Sequence, residues 1–216
     1  MTGKRYPGLP SAHSCTGCKA CGDICPHQCI SFPSGGDGHW YVNVDTSKCI
    51  RCLRCESVCP VINRRKPLSK ASAPYAAWTV DTKLRSKSSS GGTFAQIALA
   101  FLHDGGYVAG AMIEETRVRH IVIQSDTELN LLQGSKYVQS DTSGIYSEVL
   151  TLLKNGKKVL FSGLGCQVAA LYNVIPHRLW SNLFTIDLIC HGVPSSMDLD
   201  TQVQDRTAIF GVRYRP

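Results

Sequence analysis

Two runs of four cysteines constrain this chain more than any other feature. Cys15, Cys18, Cys21 and Cys25-Pro26 read C-x2-C-x2-C-x3-C-P, and Cys49, Cys52, Cys55 and Cys59-Pro60 repeat the spacing without an error. Three thiolates at two-residue gaps can wrap three corners of an iron-sulfur cube, and the proline ends the helical turn just after the fourth. In runs of this kind the fourth cysteine reaches across to the other centre. By that rule Cys15, Cys18, Cys21 and Cys59 hold one 4Fe-4S cluster, and Cys49, Cys52, Cys55 and Cys25 hold its partner. The alternative is structural zinc, whose cysteines normally arrive as two separated couples and not as three at two-residue gaps. Disulfides fit a thiol-dense chain less well when no secretion signal is evident.

This is the spacing of bacterial two-cluster ferredoxins. A module of some 60 residues cannot bury a sufficient core alone, so the clusters would supply much of its folding free energy. At 216 residues the chain has room for this module and one ordinary domain. The formal net charge of +7 overstates its basicity, because a cubane with four thiolates is anionic; nucleic-acid binding is not expected. No apolar run approaches the roughly 20 residues of a membrane span, and Met1 to Pro10 holds no hydrophobic segment. The expected location is the cytoplasm.

Read in order, Cys29 to Phe32 and Trp40 to Val44 are short strands separated by the turn Ser34 to Gly38. Cys29 lies beyond the proline and reads as a small hydrophobe near a cluster, not as a ligand. Residues 63–74, with Arg64, Arg65, Lys66, Pro67, Lys70 and Pro74, form a basic linker, either a solvated connector or a dock for an acidic redox partner. Strand and helix then alternate. Strands are expected at Tyr75–Val80, Tyr107–Ile113, Arg119–Gln124, Lys158–Ser162 and Leu183–Cys190, and helices at Thr93–His103, Ile145–Lys154 and Gln167–Asn173. Val159 to Phe161 and Phe184 to Ile189 read as central, covered strands. The expected fold class is α+β: an N-terminal ferredoxin-like dicluster domain over residues 1–62, then, after the linker, an α/β domain with a mixed sheet over residues 75–195.

Four segments of the second domain carry chemistry. Ser88-Ser89-Ser90-Gly91-Gly92-Thr93 precedes a helix and offers hydroxyls, open amides and two glycines, which suits a phosphate or pyrophosphate or simply caps the helix. Gly134 to Ser140 gathers Ser135, Lys136 and Tyr137, which either hold a flavin by charge and stacking or form an ordinary surface loop. Cys166 stands at a helix start, where a thiol pKa is lowered, and is a reactive thiolate, a ligand for another cluster or a buried turn residue. Cys190 and His191 lie just past a strand, where ligands of α/β sheets bind.

With these motifs the chain resembles the coenzyme F420 hydrogenase/dehydrogenase beta-subunit family. The resemblance runs from Cys15 to about Ser195 and rests on the cysteine runs joined to Ser-Ser-Gly-Gly-Thr-Phe (Ser89 to Phe94), Gly-Ser-Lys-Tyr-Val-Gln-Ser (Gly134 to Ser140), Ser-Gly-x-x-Cys-Gln-Val-Ala (Ser162 to Ala169) and Asp-Leu-x-Cys-His-Gly-Val-Pro-Ser (Asp187 to Ser195). It implies an iron-sulfur flavoprotein oxidoreductase subunit that passes electrons between two 4Fe-4S clusters and FAD, to or from coenzyme F420 or a similar small-molecule acceptor. A redox partner protein or a hydrogenase- or dehydrogenase-type subunit is implied as well. The resemblance places Ser90, Gly91, Gly92, Thr93, Ser135, Lys136 and Tyr137 near the flavin and makes Cys166, Cys190 and His191 the catalytic candidates. Two departures stand out: family members usually carry proline where Gly165 precedes the cysteine, and they continue past His-Gly-Val-Pro-Ser. Residues 196–216 are therefore expected to be an atypical tail on a shortened chain. The competing function is a non-catalytic ferredoxin-type carrier or docking module that binds no flavin.

Overall fold

The computed structural model describes residues 5–64 and 74–201. In the N-terminal module each cysteine run makes one short helix, α1 (Ala20–Asp23) and α2 (Arg54–Val58), and a small hairpin of β1 (Ile30–Ser31) and β2 (Asn43–Val44) lies between them. The strands are shorter than the sequence suggests, because the turn takes up residues to either side; a single bridge, Ser34 to Trp40, extends the pairing. The two runs share a backbone signature. Gly17 and Arg51 occupy one equivalent position and Lys19 and Leu53 the next, and all four adopt positive φ, from 56° to 65°. Three of them bear side chains, and each such residue costs roughly 1–2 kcal/mol. That cost is accepted because the reversals turn the chain around the cysteines.

The second domain begins with α3 (Thr82–Ser86) and α4 (Thr93–His103). A hairpin follows, of β3 (Tyr107–Glu114) and β4 (Arg117–Ile123), then α5 (Leu129–Leu132), α6 (Ile145–Lys154), β5 (Val159–Leu164), α7 (Gly165–Val174) and β6 (Leu183–Leu188). The sheet is mixed, in the order β4-β3-β5-β6, with β3, β5 and β6 parallel and β4 antiparallel. Alternation along the strands divides the core. Val108 and Leu160 face α4 and α5 with Ala95, Ala98, Leu102, Leu129 and Leu132, while Ala109, Val159 and Phe161 face α6 and α7. β5 is apolar on both faces and buried, as a central parallel strand requires.

Three expectations change. Tyr75–Val80 forms no strand: only Thr79 N–H donates to a neighbouring carbonyl, that of Gly91, and Tyr75 and Val80 are exposed. β6 is not central but an edge among the described strands, with Phe184 and Leu188 about half exposed. It also stops at Leu188, which leaves Ile189 and Cys190 beyond the ladder and exposed. Residues 65–73 of the linker and 202–216 of the tail lie outside the described residues; residues 196–201 are helical.

The dicluster module is not a bead on a string. Cys18, Ala20 and Val58 belong to the same core as α6 and α7. The Cys18 carbonyl accepts hydrogen bonds from the buried hydroxyls of Thr142 and Tyr146, both at 2.8 Å. The Asp23 carboxylate caps α6 from the other module, accepting from the amides of Gly144, Tyr146 and Ser147. Burial raises the Asp23 pKa even though those three amides oppose the rise. An uncharged acceptor therefore serves there nearly as well. We expect Asp23→Ala to destabilise the protein by about 1–2 kcal/mol, as removal of a strong N-cap does, and Asp23→Asn to lose less, both read from thermal unfolding of cluster-loaded protein.

Candidate redox site

Burial and hydrogen bonding sort the eight cysteines into two neighbourhoods. Cys21 lies within electrostatic reach of Cys15, Cys18 and Cys59, and also of Cys55. Cys25, Cys49, Cys52 and Cys55 line one cavity together with Cys29, Pro7, Ile30 and Val44. Cys25 thus lies with the first three cysteines of the other run, and Cys59 lies within reach of Cys18 and Cys21. Cys29 is buried, with its sulfur 3.3 Å from that of Cys25. Its thiol lines the same cavity, in contact with the sulfur of Cys25.

The local electrostatics suit thiolates that a metal neutralises. Burial pushes Cys18 up to about 12 and Cys55 to about 11, and raises Cys21 as well. Donors are already aimed at the sulfurs: the Ala20 amide and Thr16 hydroxyl at Cys18, the Glu56 amide at Cys55 and the Arg51 amide at Cys49, the last at 3.4 Å. Buried sulfurs supplied with amide donors favour thiolate beside a metal ion, which brings its own charge. Eight cysteines in these two neighbourhoods match the ligand count of two cubanes.

The remaining candidate residues collect along the carboxyl edge of the sheet. α7 begins directly after β5 and carries Cys166; Cys190 and His191 follow β6. α4 runs antiparallel to the strand it leads into, so its N-terminus with Ser90 to Thr93 meets the same edge. Ser135 N–H donates to Ser89 Oγ at 2.6 Å, and Gln133 Nε2 donates to Ser88 Oγ at 3.3 Å. Gln139 N–H donates to the Pro194 carbonyl at 3.0 Å. These bonds join three of the four segments singled out in the sequence.

The details depart from expectation in instructive ways. The Cys166 thiol is raised, not lowered: burial and the nearby Cys190 outweigh the helix start. A Cβ on Gly91 would lie 2.8 Å from the Ala77 carbonyl oxygen, and one on Gly92, at φ 75°, would lie 2.7 Å from Thr79 Cγ2. Both glycines are already required by the chain's own packing. Lys136 Nζ donates to the carbonyls of Gln133 and Leu131 at 2.7 and 3.3 Å, and its burial lowers the pKa to about 8. Its charge is spent largely on the C-terminal turn of α5. Tyr137 remains exposed, as do Ser90 and Thr93, and the N-cap of α4 is Gly92, which has no side chain to cap the first amides.

Several residues at this site were not singled out in the sequence. Thr16 lies close enough to both Cys18 and Cys166 to oppose the rise in each thiol pKa, which brings the first cysteine run up to the carboxyl edge. Gln139 packs over Gly17, where a Cβ would approach its Nε2 to 2.3 Å, and its Oε1 lies 3.2 Å from His39 Nδ1. His120 is buried in the sheet between Ser140 Oγ, at 2.6 Å, and the Ser162 carbonyl, at 3.1 Å. Only the inward face of β4 pointed to it.

Residues 14–63 match the family model described as the 4Fe-4S dicluster domain, so the N-terminal module is an iron-sulfur electron-transfer module. Among curated proteins no relative matches. Among solved structures, a chain in the xenon derivatization of the F420-reducing [NiFe] hydrogenase complex from Methanosarcina barkeri is similar, with 21% identity and a TM-score of 0.49 over 61% of this chain and 48% of that one. This chain thus spans about half the length of that one. The identity and score are too low to extend that complex's activity to this chain.

Burial lowers the His120 pKa to about 4, so the ring is neutral in the fold while the unfolded chain protonates near 6.5. The stability it contributes is intact above pH 6.5 and is lost as pH falls toward 4, by up to ~3 kcal/mol. Unfolding free energies measured from pH 7.5 to 4.5 should show this slope, and His120→Gln should flatten it.

Proposed function

We propose that the chain is an iron-sulfur flavoprotein oxidoreductase subunit that relays electrons between two 4Fe-4S clusters and FAD, to or from a deazaflavin such as coenzyme F420 or a similar acceptor, beside a partner redox subunit. The observation that carries this reading is the convergence of Cys166, Cys190, the Ser88 to Thr93 loop and the Gly134 to Ser140 loop on one sheet edge, with Cys166 within electrostatic reach of Cys18. Cubanes supply one-electron transfer and a flavin exchanges hydride, so a site that joins the two can convert one kind of chemistry into the other.

Cys15, Cys18, Cys21 and Cys59 would hold one cluster, and Cys25, Cys49, Cys52 and Cys55 the other. The uncapped amides of α4, with Ser90 and Thr93 beside them, would receive a pyrophosphate at the helix start. The exposed Tyr137 ring would lie against a flavin, and Ser135 would hold the two loops together. Buried Phe161, Ser162 and Gly163 exclude water from the strand behind Cys166.

A ferredoxin-type carrier without flavin is the second reading, and the self-filled glycines Gly91 and Gly92 favour it. Flavin titration separates the two. Wild-type protein should bind FAD with quenched flavin fluorescence, and Tyr137→Ala should bind it roughly fivefold more weakly, since an aromatic stack contributes about 1 kcal/mol. Absence of FAD binding supports the carrier, whereas binding indifferent to Tyr137 would take that ring out of the flavin site.

Ligation is tested separately. Cys59→Ser should remove the cluster shared with Cys15, Cys18 and Cys21, and Cys25→Ser the other, each variant keeping about half the iron. If Cys59→Ser lost the same EPR signal as Cys52→Ser, and not that lost by Cys18→Ser, the crossed assignment would be wrong.

A further inference from the structure

The two cysteine runs are alike in spacing and in backbone, but they differ at one equivalent position: Lys19 stands between Cys18 and Cys21, and Leu53 between Cys52 and Cys55. Lys19 is only 6% exposed. Its Nζ lies 2.9 Å from Asp141 Oδ2 and 3.5 Å from the centroid of the Trp40 ring, with Phe32 at 5.7 Å. Asp141 is itself fixed on the sheet. Its carbonyl accepts from His120 N–H, its own N–H donates to the Val118 carbonyl, and its Oδ1 accepts from Ser143 N–H. The ion pair spans the two modules, its cationic end carried by the ligand loop and its anionic end by the α/β domain.

Docking alone does not require a cation at this place. Thr142, Tyr146, Asp23 and Asn173 already join the modules by hydrogen bonds. A buried ammonium is costly, and a loop that needed only shape has a leucine in its twin. What the charge adds is asymmetry. A positive charge in a poorly screened setting stabilises the more negative, reduced form of a nearby cubane. Around the other run Arg54 is exposed, where water and salt screen it, and the half-buried Arg51 is engaged with Tyr6.

We infer that Lys19 sets the order of the two cluster potentials, making the cluster of Cys15, Cys18, Cys21 and Cys59 the preferred resting place of an electron, against the α/β domain and next to Cys166. This rests on the ligand assignment proposed above.

The test is an EPR-monitored redox titration of anaerobically prepared protein, with dithionite as reductant and iron content measured in parallel. In Lys19→Met the potential of that one cluster should fall while the other stays in place. Lys19→Arg should retain the wild-type value, and Asp141→Asn should move the same cluster upward. Opposite signs mark an electrostatic role, because a loosened interface admits water and raises the potential in both variants. The inference is overturned if Lys19→Met leaves both potentials unchanged or raises one. It is equally overturned if Asp141→Asn moves nothing, an arm that stands even if Lys19→Met fails to load its clusters. If the parent protein carries no clusters, the ligand assignment itself has failed.

Discussion

The structure turns on Cys18. Its sulfur faces the other cysteines of the first neighbourhood, and its carbonyl is held by two buried hydroxyls of the second domain, Thr142 and Tyr146. A single residue thus belongs to the cluster loop and to the α/β core. Each buried bond contributes about 1 kcal/mol, but a more important effect is geometric: the loop cannot drift relative to the sheet edge. Thr16, one turn of the loop away, then reaches Cys166, and Gly17 is covered by Gln139. The module that would carry electrons and the edge where a ligand would bind are one construction.

That construction explains the division of labour in the sheet. β5 is buried on both faces and delivers Cys166 at its carboxyl end, while β6, at the edge, delivers Asp187, Cys190 and His191 into a more open setting. Burial raises the Asp187 carboxyl above its ordinary value, and a Cβ at Gly165 would come within 3.3 Å of it. Glycine at 165 leaves that approach clear. The helical propensity of the segment is otherwise met by Gln167, whose side chain closes the turn by accepting from the Leu164 amide.

Much of this could be read in the sequence because its signals are local. The cysteine spacing defines two neighbourhoods before any folding is considered. The bounds of α4 and α6 follow from apolar periodicity between Gly92 and Asp104 and between Gly144 and Asn155. Tyr75–Val80 misled because its apolar residues pattern like a strand although no neighbour is available to pair with it. β6 looked covered because Phe184, Leu188 and Ile189 are apolar, and apolarity does not tell an edge from a centre. Lys19, Asp23, Gln139 and Asp141 were hidden for a different reason: each acts across the modules, and only Lys19 leaves a trace, visible when the two cysteine runs are laid over each other.

The most direct measurement of the central claim is the cofactor content of anaerobically purified protein: iron and acid-labile sulfide per chain, zinc, and released flavin. The account predicts about eight iron and eight sulfide, as two cubanes require, with one flavin per chain and no stoichiometric zinc. Zinc without sulfide would contradict the cluster assignment. Full iron and sulfide with no flavin, even after incubation with FAD, would leave the clusters in place and contradict the oxidoreductase.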